Sequence, residues 1–260
     1  MLERTFIHIP GIGPKTERAI WLRGIETWDH FLNLSREVFS LPRDEYVREQ
    51  LRESKKNLGN IRFFKERLCA NEIWRLYGAF RDKAVYLDIE TTGGYQGVND
   101  ITVVGLYDGK HYRAFVNGKN LEQFESVISE FDLVITFNGS AFDLPFIRKW
   151  FRHITLPPAH IDLRFLLRKI GYRGGLKKIE KQLRINREAE IRDMNGYDAV
   201  MLWKAHQWGD DKALDLLVQY NKADVINLEP LMTFSYEEMK RMVLPRRVED
   251  VQLQECETRT

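Results

Sequence analysis

Two carboxylates, Asp88 and Glu90, close the apolar run Ala84-Val-Tyr-Leu-Asp-Ile-Glu. In an extended strand positions i and i+2 face the same side, so the pair shares one face at a strand end. Like charges so placed repel unless a cation or a basic group sits against them. A third carboxylate, Asp143, follows Val134-Ile-Thr-Phe-Asn-Gly-Ser-Ala-Phe, with Asn138 five residues before it. Further on, Tyr220 and Asp224 lie four apart among Leu214, Leu217, Val218, Val225 and Leu228, a helical period that stacks them on one face. Asp-x-Glu and Tyr-x3-Asp each occur once in the chain. Four carboxylates and a phenol offer only oxygen, which suits hard divalent cations. The chemistry they suggest is phosphodiester hydrolysis assisted by two Mg²⁺ or Mn²⁺ ions, which neutralise charge, activate water and stabilise the leaving oxygen.

The elements that must position these residues form a mixed α/β sheet covered by helices. An apolar strand over 84–90 leads through a Gly93-Gly94 turn to strands over 101–107 and 112–116, with Asp108-Gly109 signalling a type I′ hairpin between them. A helix over 121–130, a strand over 133–137, a helix from Leu144, a short strand near Ile161 and helices to about Phe234 follow. Residues 1–83 read as a separate small all-α domain, 84–235 as the α/β domain and 236–260 as a C-terminal tail, polar and loosely held from about Pro245.

Composition bounds the setting. The chain has 260 residues, 43% of them hydrophobic and 30% charged, as in ordinary globular proteins. No apolar run is long enough to span a bilayer and the N-terminus has no signal pattern, so a cytoplasmic protein without membrane contact is expected. Cys69 and Cys256 match neither a disulfide framework nor a zinc spacing. The net charge of +2 hides an asymmetry: residues 148–192 carry 13 Lys and Arg against four Asp and Glu, a local +9 that leaves −7 elsewhere. Such a block suits a polyanion such as nucleic acid, and equally a solvated helical face.

On Asp88-Ile-Glu90, Asn138-x4-Asp143 and Tyr220-x3-Asp224, residues 84–235 resemble the DEDD superfamily of 3′-to-5′ exonucleases on the ribonuclease H-like fold. Gln219 stands where a histidine variant would need His, so the likeness is to the tyrosine subgroup (DEDDy). Gly175-Leu-Lys-Lys-Ile-Glu180 and Tyr220-Asn-Lys-Ala-Asp224 are similar to stretches of the YprB-type branch. The resemblance implies that Asp88, Glu90 and Asp224 hold the cation that binds the attacking water, that Asp88 bridges to a second cation, and that Asp143 supports it. It implies that Tyr220 orients the water rather than acting as a full base, given a phenol pKa of about 10. Thr91, Thr92 and Gly93 would lie against the terminal nucleotide of a strand with a 3′ end.

Other residues keep two readings. Asn138 either contacts the strand or ties down a loop; Phe142 and Phe146 either wedge a base or belong to the core; Asp143 could merely cap a helix. Lys177 and Lys178, opening a helix after Gly174-Gly175, are candidates for phosphate contacts, and Asp162 is a helix cap or a supporting acid. In the N-terminal region Ile9-Pro-Gly-Ile-Gly-Pro-Lys-Thr resembles the hairpin of a helix-hairpin-helix module, which implies phosphate contact through Gly11, Gly13 and Lys15, or a structural or protein-binding role. Pro14 suits a first helical turn and Thr27 an N-cap. The expected function is a metal-dependent 3′-to-5′ exonuclease, DNA and single-stranded ends favoured. Its rivals are a non-catalytic nucleic-acid-binding or scaffold protein on the same fold and a structure-dependent endonuclease.

Overall fold

The computed structural model describes residues 1–93 and 100–245. It divides into two compact units, Met1–Ala79 with the described residues from Tyr236, and Phe80–Ser235.

The first unit is helical: α1 Pro14–Leu22, α2 Trp28–Leu32, α3 Leu41–Lys56, α4 Ile61–Arg67 and a 3-10 segment Ala70–Leu76. Pro14 opens α1, where its missing N–H costs nothing, and Thr27 caps α2 by accepting from the His30 amide at 3.2 Å. Phe6, Trp28, Phe31 and Phe64 fill the core. A buried pair crosses it. Arg75 donates to Glu17 at 3.0 and 2.9 Å, and Glu17 also accepts from the Phe6 amide at 2.6 Å, which leaves neither charge unsatisfied.

The short helix α5, Tyr77–Phe80, leads to the second unit. There β1 Ala84–Thr91, β2 Ile101–Tyr107, β3 Tyr112–Val116, β4 Leu133–Thr136 and β5 Ala159–Asp162 form one sheet in the order β3-β2-β1-β4-β5. β1 pairs antiparallel with β2 and parallel with β4, so the mixed sheet expected from the sequence is the one observed. Its helices are α6 Phe124–Ile128, α7 Asp143–Trp150, α8 Leu163–Lys169, α9 Leu176–Gln182, α10 Gly196–Gln207 and α11 Asp211–Ile226. Helices cover both faces, which is why β1 reads as a nearly continuous apolar run. Val85, Leu87 and Ile89 pack with Phe124, Ile128 and Ile147 on one side. On the other, Val103 and Val116 pack with Trp203, Leu214, Leu217 and Tyr220.

Three expectations are corrected. The β2–β3 connection is a four-residue loop: Tyr107 pairs with Tyr112, and the Asp108 carboxylate accepts from the Lys110 and His111 amides at 2.9 and 2.7 Å. Gly109 has φ +90°, but Asp108 is not among the positive-φ residues, so a type I′ turn is excluded. Residues 121–130 hold a 3-10 turn Leu121–Gln123 before the shorter α6. Residues 236–243, expected in the tail, continue a sixteen-residue helix, α12 Leu228–Val243, because Tyr236 and Met239 are buried apolar anchors there. Gly94, residues 246–260 and Cys256 lie outside the described residues.

Candidate active site

Period two along β1 sends Val85, Leu87 and Ile89 into one core and Asp88 and Glu90 toward the opposite face, where α11 packs. A bulge sharpens the strand end. Glu90 pairs with Val103 but Thr91 pairs with Ile101, so Thr102 is the extra residue beside the carboxylates. From α11, Tyr220, Asn221 and Asp224 lie on the buried face.

One oxygen each from Asp88, Glu90 and Asp224 lie within 4.8 Å of one another. At an effective dielectric of ~20, each pair of ionised carboxylates at that separation repels by about 3 kcal/mol. Three such pairs would consume a large part of a typical domain's stability. Protons or cations must therefore answer the charge. Burial, followed by the neighbouring carboxylates, holds Asp88 and Glu90 well above the usual range. Asp143 completes the group from the first position of α7, whose N-cap is Phe142, so capping is not its role. Its Oδ1 accepts from the Ile89 amide at 3.1 Å, and burial first, then Asp162 and Asp224, push its pKa to about 7. Oxygen-only donors, buried and short of compensating charge, fit a divalent cation and would hold it without thiol or imidazole ligands.

Donors fix the carboxylates: the Asn221 side chain serves both Asp88 and Glu90. Asn221 Nδ2 donates to Asp88 Oδ2 at 3.1 Å. Arg187 donates to Asp224 Oδ1 and, at 2.7 Å twice, to Glu180, while Asn227 donates to Glu180 Oε1 at 2.9 Å. Burial raises Asp224 and Arg187 opposes it. The Tyr220 phenol is buried, and burial with the charges of Asp224, Glu90 and Asp88 drives it far above its ordinary range. It therefore keeps its proton and can position a water or a phosphate oxygen by hydrogen bonding, not by abstracting a proton. The Lys177 ammonium stands 4.4 Å over the Tyr220 ring. Its nitrogen has no hydrogen-bond partner among the described residues, and burial lowers its pKa against the pull of Asp224.

The remaining sequence candidates have the following surroundings. Thr92 and Asp100 clasp the strand exit by bonds of 3.0 and 3.1 Å. Gly93 has φ +67°, and a Cβ there would meet Val200 of α10 at 2.5 Å, so only glycine fits. Asn138 has φ +67°, donates its amide to Asp162 at 2.8 Å and accepts from Arg164, which makes it part of a tied loop. Asp162 caps α8 through the Arg164 amide at 3.1 Å and also accepts from Ser140 at 3.1 Å. Phe142 is 42% exposed and packs on Phe146 with ring centres 5.7 Å apart. Lys178 is exposed on α9 and shares with Lys177, Lys181 and Gln182 a shallow depression of about 530 Å³. Gly11, Gly13 and Lys15 are exposed in the first unit, with open space around both glycines and Gly11 at φ +83°.

Sequence reasoning missed Asn221, Arg187, Glu180 and Gly105. Arg187 was one of thirteen cations in the basic block, and nothing local distinguishes it. It is buried and Lys177 half-buried, whereas the other eleven are exposed.

The sequence family RNase_H_2, described as RNase_H superfamily, matches residues 85–236, more than half of the chain. The chain belongs to the RNase H superfamily. No curated protein matches it. Among similar solved structures is Escherichia coli RNase D, an exoribonuclease involved in structured RNA processing, at 18% identity and TM-score 0.46. That match covers 66% of this chain and 44% of RNase D, less than half its length. Brucella melitensis NrnC bound to pGG is similar at 19% identity over 62% of this chain and 76% of that one, TM-score 0.46. The Aedes aegypti Nibbler EXO domain is similar at 10% identity over 66% of this chain and 86% of that one, TM-score 0.46. No helix among the described residues is long and apolar enough to cross a membrane.

Proposed function

We propose that this chain is a metal-dependent 3′-to-5′ exonuclease of the tyrosine DEDD subgroup that hydrolyses the terminal phosphodiester of a nucleic acid strand, DNA with a single-stranded 3′ end being favoured. The observation that carries this reading is the convergence of Asp88, Glu90 and Asp224 within 4.8 Å, with Asp143 and Tyr220 beside them. Two Mg²⁺ or Mn²⁺ ions, held by Asp88, Glu90, Asp143 and Asp224, would supply charge neutralisation and activated water. Tyr220 orients the water as a hydrogen-bond donor. Lys177, whose nitrogen lacks a partner among the described residues, reaches a phosphate oxygen at the reacting end. Lys178 and Lys181 on α9 hold the adjoining phosphates, and Thr91, Thr92, Gly93, Asn138 and Phe142 shape the seat of the last nucleotide. Residues 1–83 form a helix-hairpin-helix-like domain whose Gly11, Gly13 and Lys15 contact nucleic-acid phosphates, and residues 84–235 form the exonuclease domain.

A second reading, a nucleic-acid-binding protein without hydrolysis, draws on the hydrogen bond by which Arg187 supplies Asp224 with a positive partner. One assay separates them. A 5′-labelled oligonucleotide, offered as single-stranded DNA, duplex DNA and RNA, should be shortened stepwise only with Mg²⁺ or Mn²⁺, and Asp88→Ala and Asp224→Ala should abolish the ladder. Equal laddering by these variants rejects the site, and binding without hydrolysis under either metal favours the second reading. Degradation of circular single-stranded DNA would make the enzyme an endonuclease.

A further inference from the structure

Gly105 of β2 stands opposite Asp88 in the sheet register. A Cβ at that position would lie 1.9 Å from Asn221 Oδ1 and 2.8 Å from Val225 Cγ2, so the missing side chain is what lets α11 bring an amide down onto β1. Asn221 is completely buried there. Its Nδ2 donates to Asp88 Oδ2 at 3.1 Å and approaches the Asp88 carbonyl oxygen at 3.4 Å, while its Oδ1 accepts from the Tyr112 hydroxyl at 2.9 Å. The direction of this relay is forced. The Asp88 carbonyl oxygen can only accept, and its Oδ2 only accepts once the carboxylate is ionised to hold a cation, so the amide nitrogen faces them and the amide oxygen faces the phenol. Tyr112 is therefore a donor, and it locks which way round Asn221 sits. A phenol on β3, an amide on α11 and a carboxylate on β1 are joined by two hydrogen bonds through a gap that only glycine leaves.

We propose that Asn221 is a positioning residue that sets the side-chain orientation of Asp88 for cation binding, with Tyr112 fixing the amide and Gly105 admitting it. The inference rests on Asp88 being a cation ligand. Partners that orient metal-binding side chains commonly matter for affinity by about 10- to 100-fold. A purely structural role would lower stability and leave cation affinity alone.

The test is Mn²⁺ affinity of the full chain by calorimetric titration, with melting temperature in the absence of metal as the second readout. Asn221→Ala should weaken Mn²⁺ binding by about tenfold or more. Tyr112→Phe, which removes a single oxygen, should weaken it by about threefold in the wild-type background and by nothing in the Asn221→Ala background, since contacts in one network are not additive. Gly105→Ala should mimic Asn221→Ala. Wild-type affinity in Asn221→Ala, or the same cost of Tyr112→Phe in both backgrounds, overturns the proposal. Should Asn221→Ala not fold, Tyr112→Phe decides alone: unchanged Mn²⁺ affinity in a folded protein rejects the relay. Wild-type protein that binds no Mn²⁺, or an Asp88→Ala variant that binds it normally, overturns the site itself. Normal binding by wild type with normal binding by Asn221→Ala overturns only this inference.

Discussion

Asp143 is the carboxylate whose charge is most readily tested, because burial and two acidic neighbours lift it to about 7 while the Ile89 amide holds its geometry. Asparagine there keeps an acceptor for that amide and removes the charge. Asp143→Asn should raise the melting temperature of the metal-free protein at pH 8 while cutting Mg²⁺-dependent hydrolysis by about 10³-fold or more; a lower metal-free melting temperature would count against electrostatic strain at the site. The pH dependence follows from the same shift. An acid with a raised folded pKa contributes stability that is present at low pH and lost as pH rises through about 7. Mn²⁺ restores what ionisation removes, so the rise in melting temperature on adding Mn²⁺ should be larger at pH 8 than at pH 6. A rise independent of pH would mean that these carboxylates do not meet the ion. The Asp-x-Glu pair was legible in the sequence because strand period alone places both on one face. Asn221 and Arg187 were not, because they act on carboxylates 133 and 37 residues away in the chain, and no local pattern encodes such a meeting.

Among the elements, α9 and the exit of β1 carry the sharpest consequences. Lys178 and Lys181 share the open basic depression on α9. If they neutralise two substrate phosphates, Lys178→Ala with Lys181→Ala should reduce the slope of log affinity against log salt by about 1.4 for a single strand. An unchanged slope, measured by fluorescence anisotropy without metal, would move the strand elsewhere. Gly93 is fixed twice, by φ +67° and by Val200 at 2.5 Å from any Cβ. Gly93→Ala should cost about 2–4 kcal/mol in urea unfolding, the sum of left-handed strain and overpacking; a loss below ~1 kcal/mol would mean that α10 yields easily. The strands were readable from apolar runs and turn residues. The bulge at Thr102 was not, since one extra residue in a continuous apolar strand leaves no compositional mark.

At the scale of the whole molecule, each compact unit holds a neutral imidazole, His8 buried and His160 half-buried. His8 bonds Ser54 at 2.8 Å and His160 bonds Thr136 at 2.9 Å, and burial depresses both to about 4. A histidine with a depressed pKa contributes stability that is present above its unfolded value of about 6.5 and lost as pH falls to about 4, up to about 3 kcal/mol for the more deeply buried His8. His8→Gln should flatten the fall in melting temperature of the full chain across that window. The same fall in both proteins would place the acid lability in other groups.

The sequence by itself determined the mixed sheet, the strand that carries Asp88 and Glu90, and the helix that carries Tyr220 and Asp224, because strand and helix periods are local and every residue in them votes. Tertiary structure alone decided that the missing side chain at Gly105 admits Asn221 to Asp88, that Arg187 leaves the basic surface to pair with Glu180 and Asp224, and that residues 236–243 are helix rather than tail. Each of those depends on what a distant segment places within a few ångströms, and a side chain's neighbours across a packed core are not written in its neighbours along the chain.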